Sequence, residues 1–320
     1  MIDRDAIEAA AGRIAPHVRV TPVMTVSDVF GLAGPLDLKL ECLQHTGSFK
    51  LRGAFNNLLA SDVPAAGIVA ASGGNHGAAV AFAAAHLGHR ARVYVPRIAG
   101  EAKIALIERA GADLVVVDGA YDDARAAAEA WEAETGAMQI HAYDAPLTVA
   151  GQGTVMREWE AQGLAADTVL IAVGGGGLIG GALAWLAGRR RVIAVEPAAC
   201  PTLEVTMREG LGTRVPVGGI AANALGARYL GGACHALARA HGVESVLVSE
   251  AALAEAQRLL WQDLRILTEP AGAAALAALT SGAWSPEPGE RVAVLLCGAN
   301  PAPDPLGALV PEPDPAPARS

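Results

Sequence analysis

Residues 168–188 carry no Asp, Glu, Lys or Arg, yet four consecutive glycines, Gly174 to Gly177, stand in their middle. The stretch is long enough to span a bilayer. Gly177 and Gly181 even form a small-xxx-small pair. A glycine quartet would weaken any continuous helix, because each glycine costs about 1 kcal/mol against alanine. The segment therefore predicts a buried strand over 168–173, a glycine turn, and an apolar helix from Leu178. A strand that is apolar throughout needs cover on both sheet faces.

The same alternation runs through the chain. Apolar runs predict strands at 36–41, 67–71, 91–95, 114–117, 139–141, 168–173, 191–196, 245–248 and 292–296. Ala-rich stretches between them predict helices at 49–59, 76–87, 102–110, 122–135, 148–162, 178–186, 251–261 and 272–280. Such alternation means βαβ units, so the expected class is α/β with open, mostly parallel sheets and helices on both faces. With 4% aromatics among 52% hydrophobic residues, the core must be built from Ala, Val, Leu and Ile. A length of 320 residues suits one large or two medium domains. The expected division is a large domain of residues 1–66 and 142–300, a small inserted α/β domain at 67–141, and a Pro-rich disordered tail at 301–320.

A net charge of −9 without a basic block argues against nucleic acid and anionic membranes as partners. The N-terminus Met1-Ile2-Asp3-Arg4-Asp5 lacks the basic start and apolar core of a signal peptide. Cys42, Cys200, Cys234 and Cys297 lie far apart, which fits reduced thiols in a cytoplasmic protein.

Four segments carry possible chemistry. The glycine quartet, at a helix start, offers amides to an anion. Gly175, Gly177 and Gly180 also satisfy G-x-G-x-x-G, with Glu196 about 20 residues on, where a ribose-binding acid would sit. The quartet alone allows a phosphate cradle, a nicotinamide-dinucleotide site, or a purely structural turn. Lys50 opens a predicted helix after a Gly-Ser turn, where the helix dipole would disfavour an ammonium ion. A neutral amine there could form a Schiff base; the plain alternative is a solvated lysine. Ser72-Gly73-Gly74-Asn75-His76-Gly77 joins a strand to a helix and offers amides to a carboxylate, or is simply a tight turn. Cys297 ends a strand, where loops line the crevice of an open sheet, or is a buried structural thiol.

In order along the chain stand T-G-S-F-K-L-R-G-A (46–54), S-G-G-N-H-G (72–77), G-Q-G-T (151–154), G-G-G-G-L (174–178), V-E-P (195–197) and E-P-A-G-A (269–273). With these motifs the chain resembles the fold-type II pyridoxal-phosphate enzymes, of tryptophan synthase β-like architecture. Within them it is most similar to the serine/threonine dehydratase and serine racemase branch. The resemblance implies that Lys50 holds pyridoxal 5'-phosphate as a Schiff base, with Phe49 backing the ring. It implies that Asn75 bonds the ring hydroxyl and that Gly174, Gly175, Gly176, Gly177 and Leu178 bind the phosphate. Cys297 would face the pyridine nitrogen, and Glu269 would lie near the cofactor. Ser72, Gly73, Asn75 and His76 would form the loop that takes the substrate carboxylate.

The implied reaction is β-elimination from L-threonine or L-serine, giving a 2-oxo acid and ammonia, with Lys50 removing the Cα proton. The cofactor phosphate would protonate the departing hydroxyl. A racemase, or a lyase for 3-hydroxyaspartate or a diamino acid, is the alternative; a nicotinamide dehydrogenase is a distant one. Serine racemases use a serine at the position of Gly73 as the second acid–base group, which ranks racemisation lower. Cys297 and Ala299 stand where the branch usually has Ser and Gly. Its divalent-cation site would retain Glu196 alone as a carboxylate, because Thr202 stands where an aspartate is usual. A homodimer is the assembly common in the family.

Overall fold

A computed structural model describes residues 2–99, 101–119 and 121–301. The tail expected beyond Pro301 lies outside the described residues. Among these residues, ten strands form two sheets.

The larger sheet has the order β1 (Val23–Ser27), β2 (Pro35–Leu40), β10 (Val292–Leu296), β7 (Thr168–Ala172), β8 (Arg191–Pro197), β9 (Glu244–Val248). All its pairs are parallel except β1 with β2. The smaller sheet runs β5 (Asp113–Val117), β4 (Ala91–Pro96), β3 (Ile68–Ala71), β6 (Met138–Gln139), parallel throughout.

Twelve helices flank them among the described residues: α1 (Arg4–Ile14), α2 (Lys50–Leu59), α3 (Asn75–His86), α4 (Glu101–Arg109), α5 (Tyr121–Thr135), α6 (Pro146–Ala161), α7 (Gly177–Leu186), α8 (Thr202–Glu209), α9 (Ala222–Leu225), α10 (Gly232–His241), α11 (Glu250–Leu264) and α12 (Pro270–Thr280).

The periodicity predicts nine of these strands and misses β1. That strand lies at a sheet edge with Thr25 and Ser27 exposed, so it never forms a continuous apolar run. Helix α1 is also absent from the sequence reading, although its signals are present. Asp3 caps it by accepting from the Ala6 N–H at 2.9 Å, and Ile7, Ala10 and Ile14 form its buried face. The short helices α8, α9 and α10 are likewise unpredicted. The expected helix over 148–162 begins earlier, with Pro146 in its first turn.

Two features of this fold place the site. First, β10, the last strand in sequence, lies between β2 and β7, with Leu296 beside Leu40 and Val294 beside Leu170. The segments leaving β2, β10 and β7 therefore emerge together at one end of the sheet.

Second, α6 packs between α2 and α7 through glycines. A Cβ on Gly151 would lie 2.7 Å from Gly53 Cα, and one on Gly181 would lie 2.4 Å from Gly153 N. The G-Q-G segment thus lets the lysine-bearing helix and the glycine-loop helix both approach α6 backbone to backbone. Small residues serve the core in the same way: Ala271 to Leu279 of α12 are all buried, against β10, β7 and β8.

Beneath α2 lies a buried ionic network. Arg52 Nε donates to Glu41 Oε2 at 2.9 Å, and Arg52 Nη2 donates to Glu41 Oε1 at 2.6 Å and Glu158 Oε2 at 2.9 Å. Lys39 Nζ donates to Glu158 Oε1 at 2.6 Å and to Thr21 O at 2.8 Å. The two cations and two carboxylates balance, which lets β2, α2 and α6 bury charge at their junction.

Candidate active site

Lys50 is the first residue of α2, and Phe49 is its N-cap rather than its first helical residue. The Lys50 Nζ donates to Ala142 O at 2.8 Å and lies 5.2 Å from the Phe49 ring centroid. Burial pushes its pKa down to about 8, against the opposing pull of Cys297 and Glu269. Loss of solvation is the main cause of this lowering. An appreciable fraction of this amine is neutral at physiological pH.

Lys50 opens into a narrow cleft between the sheets. Phe49, Asn75, Glu269, Cys297 and the segment from Gly174 to Ile179 line it. Gly176, at φ +93°, caps α7 in the left-handed conformation. A Cβ on Gly175 would lie 2.3 Å from the Tyr143 ring, and one on Gly174 would lie 2.9 Å from Leu225 Cα. Side chains are therefore excluded, and the first-turn N–H groups of α7, which have no acceptor within the helix, are placed at the cleft. The fit is to a phosphate-sized anion.

On the other wall Asn75 begins α3. Its Nδ2 donates to Glu269 Oε1, and its Oδ1 accepts from Asn300 Nδ2 at 2.9 Å. Ser72 Oγ accepts from the Gly74 N–H at 3.2 Å, which shapes the turn. The His76 ring points away: its Nε2 donates to Ile140 O at 2.8 Å. That acceptor assigns the ring proton to Nε2. Burial, reinforced by Lys50, lowers the His76 pKa to about 3, so the ring is neutral and serves as a brace. At position 73 a Cβ would lie 2.5 Å from Ala99 Cβ.

Cys297 is buried, and its Sγ donates to Ala271 O at 3.4 Å. Burial, with Glu269 nearby, raises its pKa far above the ordinary thiol range, so it is a thiol and not a thiolate.

Glu196 lies outside this cleft. Its Oε1 accepts from the Leu203 N–H at 2.6 Å, and its Oε2 accepts from the Glu204 N–H at 2.9 Å and from Ser245 Oγ at 2.8 Å. Both oxygens thus serve the start of α8. These three hydrogen bonds tie Glu196 to α8 and β9 rather than to the cleft.

Sequence patterns assign no role to Tyr143, which lines the cleft, or to Asn300, which bonds Asn75. Tyr143 and Asn300 follow β6 and β10 by four residues each. The rule that loops after strand ends line the crevice points to both, once the sheet order is known.

The site thus combines a buried amine of near-neutral pKa, a glycine cradle for phosphate and an aromatic neighbour. The profile of the pyridoxal-phosphate dependent enzyme family matches residues 14–298, and the chain belongs to that family. It is 37% identical over 307 residues to a phenylserine dehydratase of Ralstonia pickettii, covering 93% of each chain. It is 34% identical over 306 residues to an L-threonine ammonia-lyase of Geobacter sulfurreducens, covering 93% of this chain and 76% of that one. The structure of maize serine racemase superposes with a TM-score of 0.88 at 31% identity, covering 96% of both chains. The cradle and the buried amine fit pyridoxal phosphate, the cofactor of the family.

Proposed function

We propose that the chain catalyses β-elimination of water from L-threonine or L-serine, releasing a 2-oxo acid and ammonia. The observation that carries this reading is the pairing of one buried amine, Lys50, with a position 73 that has no room for a side chain. Elimination needs one base at Cα; racemisation needs an acid–base group on each face.

When bound, pyridoxal phosphate supplies the electron sink for the Cα carbanion. Lys50 would hold the cofactor through its amine, and the same amine would take the Cα proton. Gly174 to Gly177 and Leu178 hold the phosphate, and Phe49 packs on the ring. Asn75 donates toward the ring oxygen. The Ser72–His76 turn receives the substrate carboxylate through its main chain, because the His76 ring is already committed to Ile140 O. Cys297, kept as a thiol, would offer the ring nitrogen of a bound cofactor no charge, so the electron sink would be weak and elimination would be favoured over transamination.

Apart from Lys50, no cationic side chain lines the cleft among the described residues. An acidic β-substituent, as in 3-hydroxyaspartate, would therefore lack a counter-charge. A second reading, an aromatic β-hydroxy amino acid as substrate, draws support from the 37% identity to the phenylserine dehydratase. We further infer a cytoplasmic homodimer; the four free, buried thiols suit a reducing compartment.

Ammonia and oxo-acid release from L-threonine, L-serine, phenylserine, 3-hydroxyaspartate and 2,3-diaminopropionate tests the reading, with Lys50→Ala as control. Threonine or serine should turn over fastest and Lys50→Ala should abolish turnover. Full activity of Lys50→Ala sinks the mechanism, and a preference for phenylserine selects the second substrate.

A further inference from the structure

Residues 47–49 and 297–299 form a short ribbon at the mouth of the sheet. The Phe49 N–H donates to Cys297 O at 3.3 Å, the Ala299 N–H donates to Gly47 O at 2.8 Å, and Ser48 pairs antiparallel with Gly298. Asn300 stands at the end of this ribbon. Its Nδ2 donates both to Thr46 O at 2.8 Å and to Asn75 Oδ1 at 2.9 Å.

The pattern has one consistent assignment. A main-chain carbonyl only accepts, so Thr46 O requires the nitrogen of the Asn300 amide to face it. The same nitrogen meets Asn75, which must answer with its oxygen. The Asn75 Nδ2 is then turned to the Glu269 carboxylate, to which it donates. A reversed Asn75 would set N–H against N–H at Asn300 and carbonyl oxygen against carboxylate at Glu269. With one Nδ2 proton on Glu269, the second is left for the cleft, which Asn75 lines.

We propose that Asn300 is a positioning residue that holds Asn75 as a hydrogen-bond donor toward the ring oxygen of bound pyridoxal phosphate. The inference rests on the reading that Asn75 faces that oxygen. Asn300 acts from outside the reacting atoms: it converts a fixed main-chain acceptor, Thr46 O, into a fixed orientation of the Asn75 amide.

The test is the absorbance spectrum of the cofactor-loaded protein, followed against pH, for wild type, Asn75→Ala, Asn300→Asp, Asn300→Ala and the Asn75→Ala/Asn300→Asp double variant. Asn300→Asp places an acceptor against Thr46 O and the Asn75 oxygen, which drives the Asn75 amide to reverse. Asn300→Ala covers the case in which the charged variant does not fold. Both single changes at Asn300 should move the cofactor band in the same direction as Asn75→Ala. They should also weaken pyridoxal-phosphate binding about tenfold, the scale of one hydrogen bond to a charged group. The double variant should move no further than Asn75→Ala alone. Wild-type spectra for the Asn300 variants, or band shifts that add in the double variant, overturn the inference. Borohydride fixation and peptide mass analysis separate it from the parent reading. Cofactor missing from Lys50 in the wild type fails the parent reading, whereas cofactor on Lys50 with an unmoved Asn300 spectrum fails this inference alone.

Discussion

A Cβ built on Gly73 stands 2.5 Å from the Cβ of Ala99, closer than two carbons can approach. Val95 Cγ1 closes the same space at 3.1 Å. Position 73 therefore has no room for a side chain, and on the proposed reading no side chain there returns a proton to Cα. Purified enzyme acting on L-serine should form pyruvate far faster than D-serine, as read by chiral chromatography. Comparable rates would refute the one-base reading. Gly73→Ser should cost about 1–3 kcal/mol through overpacking, measured by chemical denaturation.

The Lys50 amine titrates near 8 in the folded, cofactor-free chain against an ordinary value of 10.5, chiefly through burial. Between those values the unfolded chain binds the extra proton, so the contribution of this group to stability rises with pH. Below about 8 the folded chain carries a buried ammonium ion at a cost. Lys50→Met should accordingly stabilise cofactor-free protein more at pH values below that point than above 10.5. Denaturant midpoints across the range check this. The rate of amine modification at Lys50 should rise through a midpoint near 8.

Gly151→Ala tests the helix crossing. Its methyl group would meet Gly53 Cα at 2.7 Å, and the intruded atoms are backbone, which cannot rotate aside. We expect a loss of about 1–3 kcal/mol in stability. Cofactor affinity should fall as well, because α6 sets the spacing between the Lys50 helix and the glycine cradle. Cofactor titration would show it; an unaltered affinity would mean that α2 and α7 find their spacing without α6.

Arg52→Met removes the guanidinium that binds Glu41 and Glu158 together. The buried Glu41 carboxylate and the partly buried Glu158 carboxylate are then left short of a partner, at a cost of about 3–5 kcal/mol. Simultaneous replacement of Arg52, Lys39, Glu41 and Glu158 by apolar residues should cost less than the single change. Equal losses would show that the network contributes packing rather than charge balance.

Glu196 is raised to about 7 by burial, against the N–H groups of Leu203 and Glu204. In the folded chain it holds its proton to higher pH than in the unfolded chain. Its contribution to stability therefore falls as pH rises from 4.5 to about 7, then levels off. Glu196→Gln should remove that dependence and cost about 1–3 kcal/mol at low pH through one mismatched partner. Chelator treatment should leave the thermal midpoint and turnover unchanged, because both oxygens of Glu196 are engaged with the start of α8 and Ser245.

Local signals made much of the fold legible. Apolar runs and Ala-rich stretches mark nine of the strands and most of the long helices, because periodicity depends only on near neighbours in the chain. The glycine quartet is legible as an anion cradle for the same reason: a strand, a turn without side chains and a helix start are contiguous. The ordered motifs from Thr46 to Ala273 disclose the family.

What the sequence by itself determined is therefore the set of parts: the amine, the cradle, the Asn75 turn and the α/β class. Only the tertiary structure decided how they meet. Nothing local places β10 between β2 and β7, since strand order is set by which buried faces pack together. Nothing local lowers the Lys50 pKa, since desolvation comes from residues far along the chain. The same holds for Glu196, whose hydrogen-bond partners come from α8 and β9. It holds also for Asn300, whose two partners, Thr46 and Asn75, lie 254 and 225 residues away.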